Sequence, residues 1–380
     1  MSEPIYLDYN ATTPVAPDVL DAMLPWLRDQ FGNPSSTHPY GRRAAQAVAT
    51  ARRQTADLIG ARPEEIVFTG CATESNNLAL LGVARALGTS RRHLVISAIE
   101  HPAVMAPAVV LRDQGWDVTV VPVDGFGRVS LDALERSLRV ETGLVSVMHA
   151  NNEVGTVQPI REIARLTRER GIVLHTDAAQ SAGKLALNVD ELGVDLLTLA
   201  GHKFYAPKGV GALYVRAGTS IRAALHGAEQ EHGLRPGTEN VASIVALGAA
   251  AVAAKRSLPA AAEHMRAIRD LLHERLAADV PDLRLNGHPE HRLPNTLHVS
   301  FPGVSGRALL GHAADVVAAS VGSACHSEHD AVSGVLAAMG ADSARATGAV
   351  RLSVGRGTTR DEVERAAEAL ACAWQQIHTR

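Results

Sequence analysis

An α/β architecture with a mostly parallel sheet, followed by a smaller α+β unit, is predicted by three observations in this 380-residue sequence. Seven short, nearly continuous apolar runs lie between residues 64 and 216, helical patterns separate several of them, and the texture changes after Ala254. Strands that are apolar along their whole length belong to sheets covered by helices on both faces.

In chain order, EEIVFTG reads as a strand, and ESNNLALLGVARAL as a helix with Leu78, Leu81, Ala84 and Leu87 on one face. HLVISAIE is the second strand, followed by a helix from about His101 to Gln114. DVTVVPV, TGLVSVMHA, GIVLHTDAA, VDLLTLAG and GVGALYVR complete the series, with helices around 130–138 and 159–170 between some of them. The most apolar run, Val241 to Ala254, reads as a buried helix too short to span a bilayer. A helix over roughly 260–279 then precedes three strand-like runs, LPNTLHVSF, DVVAASVGS and AVRLSVG, and a closing helix runs from about Thr359 to His378. The predicted division is a large domain over 15–254 and a small one made of 1–14 and 255–380.

Composition excludes several function classes. Hydrophobic residues make up 46%, charged residues 20%, and the net charge is -3, which provides no electrostatic footprint for nucleic acid or a membrane surface. Aromatics at 3% argue against a base-stacking platform. Three widely spaced cysteines, Cys71, Cys325 and Cys372, suit a reducing cytoplasm with free thiols. The start, MSEPIYLDYN, carries no basic-then-apolar leader, so a cytoplasmic location is expected.

Arginine supplies nearly all the positive charge. Of 37 basic residues four are lysine: Lys184, Lys203, Lys208 and Lys255. A lysine retained in such a chain has a raised chance of serving as an amine that can lose its proton, which arginine cannot.

The strand ends hold the informative polar residues. Thr73 follows EIVFTG, His101 follows HLVISAIE, Asn151 and Asn152 follow TGLVSVMHA, Asp177 and Gln180 lie in LHTDAAQ, and Lys203 follows VDLLTLA. In a parallel sheet these positions converge on one crevice at the carboxyl ends of the strands. Singly, each has an ordinary explanation: a packed histidine, an N-capping aspartate, a surface lysine. Together they match the needs of pyridoxal phosphate: a lysine for the Schiff base, a carboxylate beside the pyridine nitrogen, and a helix N-terminus for the phosphate. The turn GCATESNN, with Ala72 and Thr73 at its entry, suits the phosphate. His101 would lie on the ring face and Gln180 would donate to the ring hydroxyl.

The chain resembles the cysteine desulfurases, in the class V branch of the fold-type I pyridoxal-phosphate enzymes. YLDYNATTPV, FGNPSSTH, ATESNN, EHPAV, MHANNEVG, HTDAAQSAGK, GHKFYAPKGVGALYVR, RPGTEN, GSACHSE and RLSVGRGTT carry the resemblance, from about residue 5 to 370. It is also similar to the sister group of selenocysteine lyases. The resemblance implies the fold-type I architecture with a seven-stranded sheet and a smaller domain carrying the catalytic cysteine loop. It implies that Lys203 bonds the cofactor and moves protons at the substrate Cα, that Asp177 pairs with the pyridinium nitrogen, that His101 stacks on the ring and that Gln180 meets its phenolic oxygen. Ala72, Thr73 and His202 would hold phosphate, with Thr238 arriving from the partner subunit of a homodimer. Asn152 would position cofactor and substrate, Arg351 would clamp the substrate carboxylate, and Asn33 would assist. Cys325 matches the nucleophile that takes sulfur from L-cysteine as a persulfide, leaving alanine, for delivery to an acceptor such as an iron–sulfur scaffold or a thiolation enzyme.

Two positions depart from the desulfurase pattern: Ala200 stands where a phosphate-binding serine is common, and Asn76 where aspartate is. Both bring the chain closer to the selenocysteine lyases. Other readings weighed were an aminotransferase, a non-catalytic scaffold for sulfur acceptors, and metal half-sites at Cys325 with His329 or His288 with His291, which lack the three or four ligands zinc needs. Whether His326 and His329 tune the cysteine is left open. Cys71 and Cys372 are expected to be structural.

Overall fold

The computed structural model describes residues 3–322 and 333–378. Twelve strands are described: β1 (Ile5–Tyr6), β2 (Ile66–Thr69), β3 (His93–Ser97), β4 (Asp117–Val121), β5 (Thr142–Ser146), β6 (Val173–Asp177), β7 (Leu196–Ala200), β8 (Gly211–Val215), β9 (Arg284–Leu285), β10 (Thr296–Ser300), β11 (Val317–Ala318) and β12 (Ala349–Ser353). The helices are α1 (Pro17–Arg28), α2 (Pro39–Ile59), α3 (Ala72–Leu87), α4 (Pro102–Asp113), α5 (Leu131–Ser137), α6 (Ile160–Arg168), α7 (Val189–Leu192), α8 (Val241–Asp279), α9 (Gly306–His312), α10 (Gly334–Ala338), α11 (Ser343–Thr347) and α12 (Arg360–His378).

The seven apolar runs form one sheet in the order β2-β8-β7-β6-β5-β3-β4. It is parallel from β7 to β4, while β8 runs antiparallel to both its neighbours. Both faces are buried from β2 to β3, as the unbroken apolar runs require, while the edge strand β4 is partly exposed. Val95, Val145, Leu197 and Tyr214 pack towards α1, α2, α6 and the first part of α8. Leu94, Leu144, Leu196 and Leu213 pack against α3 and α4 on the other face. Because β2 and β5 to β7 point the same way, their carboxyl ends share one edge, and the polar residues that follow them gather there.

A second core is built on the three-stranded sheet β12-β10-β9. Leu297, Val299, Val350 and Leu352 bury one face of it against α12 and the second part of α8. The other face carries Thr296, His298, Arg351 and Ser353, all buried. Strand alternation thus separates Val350 and Leu352 from Arg351 and Ser353, as expected from AVRLSVG.

Two elements differ from expectation. The run DVVAASVGS forms no strand of the small sheet and touches it through a single bridge from Ser320 to Arg351; β11 pairs in parallel with β1 at the N-terminus, and β9 takes the third place. The separate helices expected at 241–254 and 260–279 are one 39-residue helix, α8, with Pro259 inside it. Proline removes one hydrogen bond there. Burial of Ala250 and Ala254 in the first core and of Met265, Leu272 and Leu276 in the second holds the helix through it. The boundary expected after Ala254 therefore falls within a continuous helix that serves both cores. By length and composition α8 is apolar enough to cross a membrane, but 56% of that apolar window is buried inside the protein.

Candidate active site

A cleft of about 250 Å³ opens at the shared strand edge, lined among others by Ala72, Thr73, His101, Asn152, Asp177, Gln180, His202, Lys203 and Arg351. The structure thus brings together the residues singled out at the ends of β2, β3, β5, β6 and β7, and adds Arg351 from the small sheet. Asn151 is buried beside them, its Oδ1 accepting from the Glu153 and Val154 amides and its Nδ2 donating to Ile99 O, so it shapes the loop that presents Asn152.

The N-terminus of α3 faces this cleft through Ala72 and Thr73. Its N-cap is Cys71, whose side chain makes no capping hydrogen bond, so the first-turn amides keep their capacity for an anion. Gly211 on β8 permits the approach: a Cβ there would stand 2.9 Å from Cys71 C and 3.1 Å from Ala72 N. The acidic residue of this turn, Glu74, is turned away onto Gly70 N at 2.7 Å and Arg235 at 2.9 Å.

Asp177 ends β6, its Oδ2 accepting from Asn76 Nδ2 at 2.7 Å and its Oδ1 from the Ala179 amide at 2.9 Å. The departure to asparagine at position 76 has a physical consequence. An amide donates to Asp177, where an ionised aspartate would repel it. Ala200 lines the cleft without any side-chain donor.

His101 is the N-cap of α4, and its Nδ1 accepts from the Ala103 amide at 3.1 Å. The proton of the neutral ring is therefore on Nε2. Burial, with the charge of Lys203 adding to it, lowers its pKa against the opposing pull of Asp177. His202 Nδ1 lies 3.2 Å from Thr12 Oγ1, and burial together with Lys203 pushes its pKa down to about 4. Lys203 Nζ donates to Asn10 O at 2.6 Å and Ala11 O at 2.8 Å. Two residues later Tyr205 adopts φ 72°, a left-handed conformation costly for a side chain this size. Its backbone N–H donates to Thr13 Oγ1 at 2.9 Å and its hydroxyl accepts from Arg356 N at 2.8 Å, which offsets the strain.

Arg351 is buried, pairing with Asp8 at 2.8 Å and donating to Asn152 O at 3.1 Å. Its Nε is without a partner among the described residues. Asp8 and Asn10 were not singled out by sequence reasoning, although both lie in YLDYNATTPV. Asn10 is a hub. It donates to Ser353 Oγ, Asn152 O and Thr296 Oγ1, and it accepts from Gln180, Lys184, Lys203 and Asn295. It thereby ties the small sheet to the strand ends of the large one. Lys184, one of the four lysines, is buried beside it.

Several expectations fall elsewhere. Asn33 is exposed, accepts from the Ser35 amide at 2.9 Å, and does not line its own chain's cleft. Thr238 is also exposed and lines a separate recess with Thr69, Arg235 and Glu239. Cys71 and Cys372 are exposed thiols, not packed ones, and Cys71 is on the cleft wall. His288 and His291 face each other with ring centroids 4.6 Å apart, but no group of three metal-ligating side chains occurs among the described residues. Cys325, His326 and His329 lie outside the described residues. The chain on either side of them meets the site: Gly322 approaches Glu153, Ser333 Oγ donates to Glu153 Oε2 at 2.5 Å, and Ser320 bridges to Arg351.

Three histidines behind the cleft have a measurable consequence for acid stability. His149 bonds Ser181, His175 bonds Ser146 and Thr198, and His298 bonds Asn286. Burial pushes their pKa values from 6.5 down to about 4, about 4 and about 3 respectively. Below pH 6.5 the unfolded chain therefore binds protons that the folded one does not, and stability falls as pH falls. Buried Glu100, raised to about 8, has the opposite sign between its ordinary 4.5 and 8, but it is one group against three. Thermal unfolding from pH 7 to pH 4.5 should show a net loss of several kcal/mol, since each tenfold difference in proton affinity between folded and unfolded chain is worth about 1.4 kcal/mol.

The aminotransferase class-V family is matched over residues 5–366. A protein described as cysteine desulfurase IscS, from Dictyoglomus turgidum, is 43% identical over 380 residues, covering all of this chain and 96% of the relative. A solved structure of a NifS-like protein superposes with a TM-score of 0.91 at 37% identity, covering 99% of this chain and all of the other. A structure described as SspA in complex with cysteine gives a TM-score of 0.83 at 38% identity, over 93% of this chain and 99% of that one.

Proposed function

The chain belongs to the aminotransferase class-V family and is a cysteine desulfurase, and from that premise we propose that it works with pyridoxal phosphate in the cleft above β5, β6 and β7, converting L-cysteine to L-alanine and passing the sulfur to Cys325. The observation that carries the assignment is the meeting of Lys203, Asp177, His101 and the uncapped N-terminus of α3 in one cleft that Arg351 also lines.

The donor set fits this cofactor: an amine, a carboxylate, a flat ring and a helix N-terminus converge on a single space. When bound, pyridoxal phosphate supplies an electron sink for the bonds at the substrate Cα. The α3 amides, Thr73 and His202 would hold its phosphate. Asp177, oriented by Asn76 and Ala179, would accept from the ring nitrogen. His101 would pack on the ring, and Asn152 would help to position it. Arg351, fixed by Asp8 and Asn152, binds the substrate carboxylate. Lys203 takes the proton from Cα. The Cys325 thiolate attacks the substrate sulfur; the new S–S bond forms as the C–S bond breaks, the electron pair remains on Cβ, and protonation at Cβ together with return of a proton from Lys203 to Cα yields alanine.

The functional protein is proposed to be a homodimer in the cytoplasm. Thr238 is exposed and outside its own chain's cleft, as a residue serving a second copy would be. The sulfur acceptor is proposed to be a protein, an iron–sulfur scaffold or a thiolation enzyme.

Purified protein supplied with pyridoxal phosphate, L-cysteine and a thiol should form alanine and sulfide in equal amounts. Parallel assay with L-selenocysteine tests the sister activity. Negligible turnover of cysteine beside rapid turnover of selenocysteine would overturn the substrate assignment.

A further inference from the structure

Lys184 takes no part in the steps above, yet it is 5% exposed and sits in the same network as Lys203. Its Nζ is 2.9 Å from Gln180 Oε1 and 3.2 Å from Asn10 Oδ1. The directions of these bonds are determined by groups that can only accept. Asn10 O is a carbonyl, so the Gln180 amide must present Nε2 to it, at 3.0 Å, and its Oε1 to Lys184. Likewise Asn152 O forces Nδ2 of Asn10 towards itself and leaves Asn10 Oδ1 for Lys184 and Asn295. Lys184 is thus a double donor whose two acceptors are the residues that flank the lysine of the cleft.

The charges that face it are Lys203, from the loop after β7, and Arg351, from β12. Burial, with these two positive charges adding to it, holds the Lys184 pKa well below its ordinary 10.5. A cavity of about 20 Å³ is lined by Lys184, Lys203, Asn295 and Tyr205 among others, enough for one water.

We propose that Lys184 is a positioning residue for the cofactor pocket: by donating to Gln180 Oε1 and Asn10 Oδ1 it locks the Gln180 amide with its N–H groups towards Asn10 O and the cleft, and keeps Asn10 O where Lys203 shares it. The inference rests on the reading of the cleft as a pyridoxal-phosphate site. Without Lys184, Gln180 Oε1 loses its buried donor, and the amide gains by turning that oxygen elsewhere. The cleft then loses an N–H aimed at the ring oxygen.

The test is a double-mutant cycle read by cofactor binding and spectrum, not by turnover. Lys184→Met matches the stem and removes the donor; Gln180→Ala removes what it acts through. Each is expected to weaken pyridoxal phosphate binding to the apo protein about tenfold. Each should also raise the pH midpoint between the visible bands of the loaded protein, since a ring oxygen deprived of a donor keeps its proton to higher pH. The double variant should be no weaker than either single variant within about threefold, because the two residues act as one unit. Lys184→Gln, which keeps an N–H donor, should recover part of the loss, and it carries the same test if the Met variant does not fold. Native affinity and midpoint in Lys184→Met would overturn the inference, and so would additive losses with an unmoved midpoint, the mark of a structural lysine. If native protein takes up no pyridoxal phosphate, the reading of the cleft fails, and this inference with it.

Discussion

Lys203→Ala should abolish alanine formation from L-cysteine, with a fall of at least about 10³-fold, in the range expected when a positioned proton-transfer group is removed. Two roles are lost at once. The amine is the bonding partner proposed for the cofactor, and it is the group placed to move the Cα proton. In the structure its Nζ is held by the carbonyls of Asn10 and Ala11. Those acceptors also align it, so a replacement with similar charge is not equivalent. Lys203→Arg should be as inactive as the alanine variant, because a guanidinium does not give up its proton at neutral pH. Added small primary amines should restore a measurable part of the alanine variant's rate, since they supply the missing amine without the tether. Coupled assay of alanine, with and without such an amine, checks this. A Lys203→Ala protein within tenfold of native activity would remove lysine from the reaction.

Cys325→Ala should be equally inactive in releasing sulfur but should differ in every other respect. Lys203, Asp177, His101 and the α3 N-terminus line the cleft from elements remote in sequence from Cys325. The variant should therefore bind pyridoxal phosphate with native affinity, keep the visible colour of the loaded protein and shift its spectrum when cysteine is added. Yet it should form less than about one-hundredth of the native alanine, because the nucleophile that accepts the sulfur is gone. Retained full activity would assign the sulfur transfer to another group; the exposed Cys71 on the cleft wall would then be the thiol to replace. Loss of colour would show instead that the cysteine segment supports the cofactor pocket.

The large sheet was legible because its strands are apolar on both faces and short, a pattern that few other environments tolerate. The polar residues at their ends were legible for the same reason, standing out where the apolar runs stop. The small sheet was less so. Two-residue strands such as β9 and β11 carry no period, and DVVAASVGS pairs with β1 only because the chain's N-terminus is beside it. Pro259 suggested a break in α8, and burial in two cores overrode it.

The chemistry on offer could be read from the chain alone: a lysine, an aspartate and a histidine at strand ends, and a family resemblance that assigned their roles. The groups that make those residues work emerge only on folding. Asn76 behind Asp177, Asp8 behind Arg351, and Asn10 with Lys184 behind Gln180 and Lys203 are separated from their partners by between 4 and 343 positions. Their partners cannot be read from the chain, because a hydrogen bond of this kind leaves no periodicity in it. It exists only once two cores close on each other and a buried donor must find an acceptor.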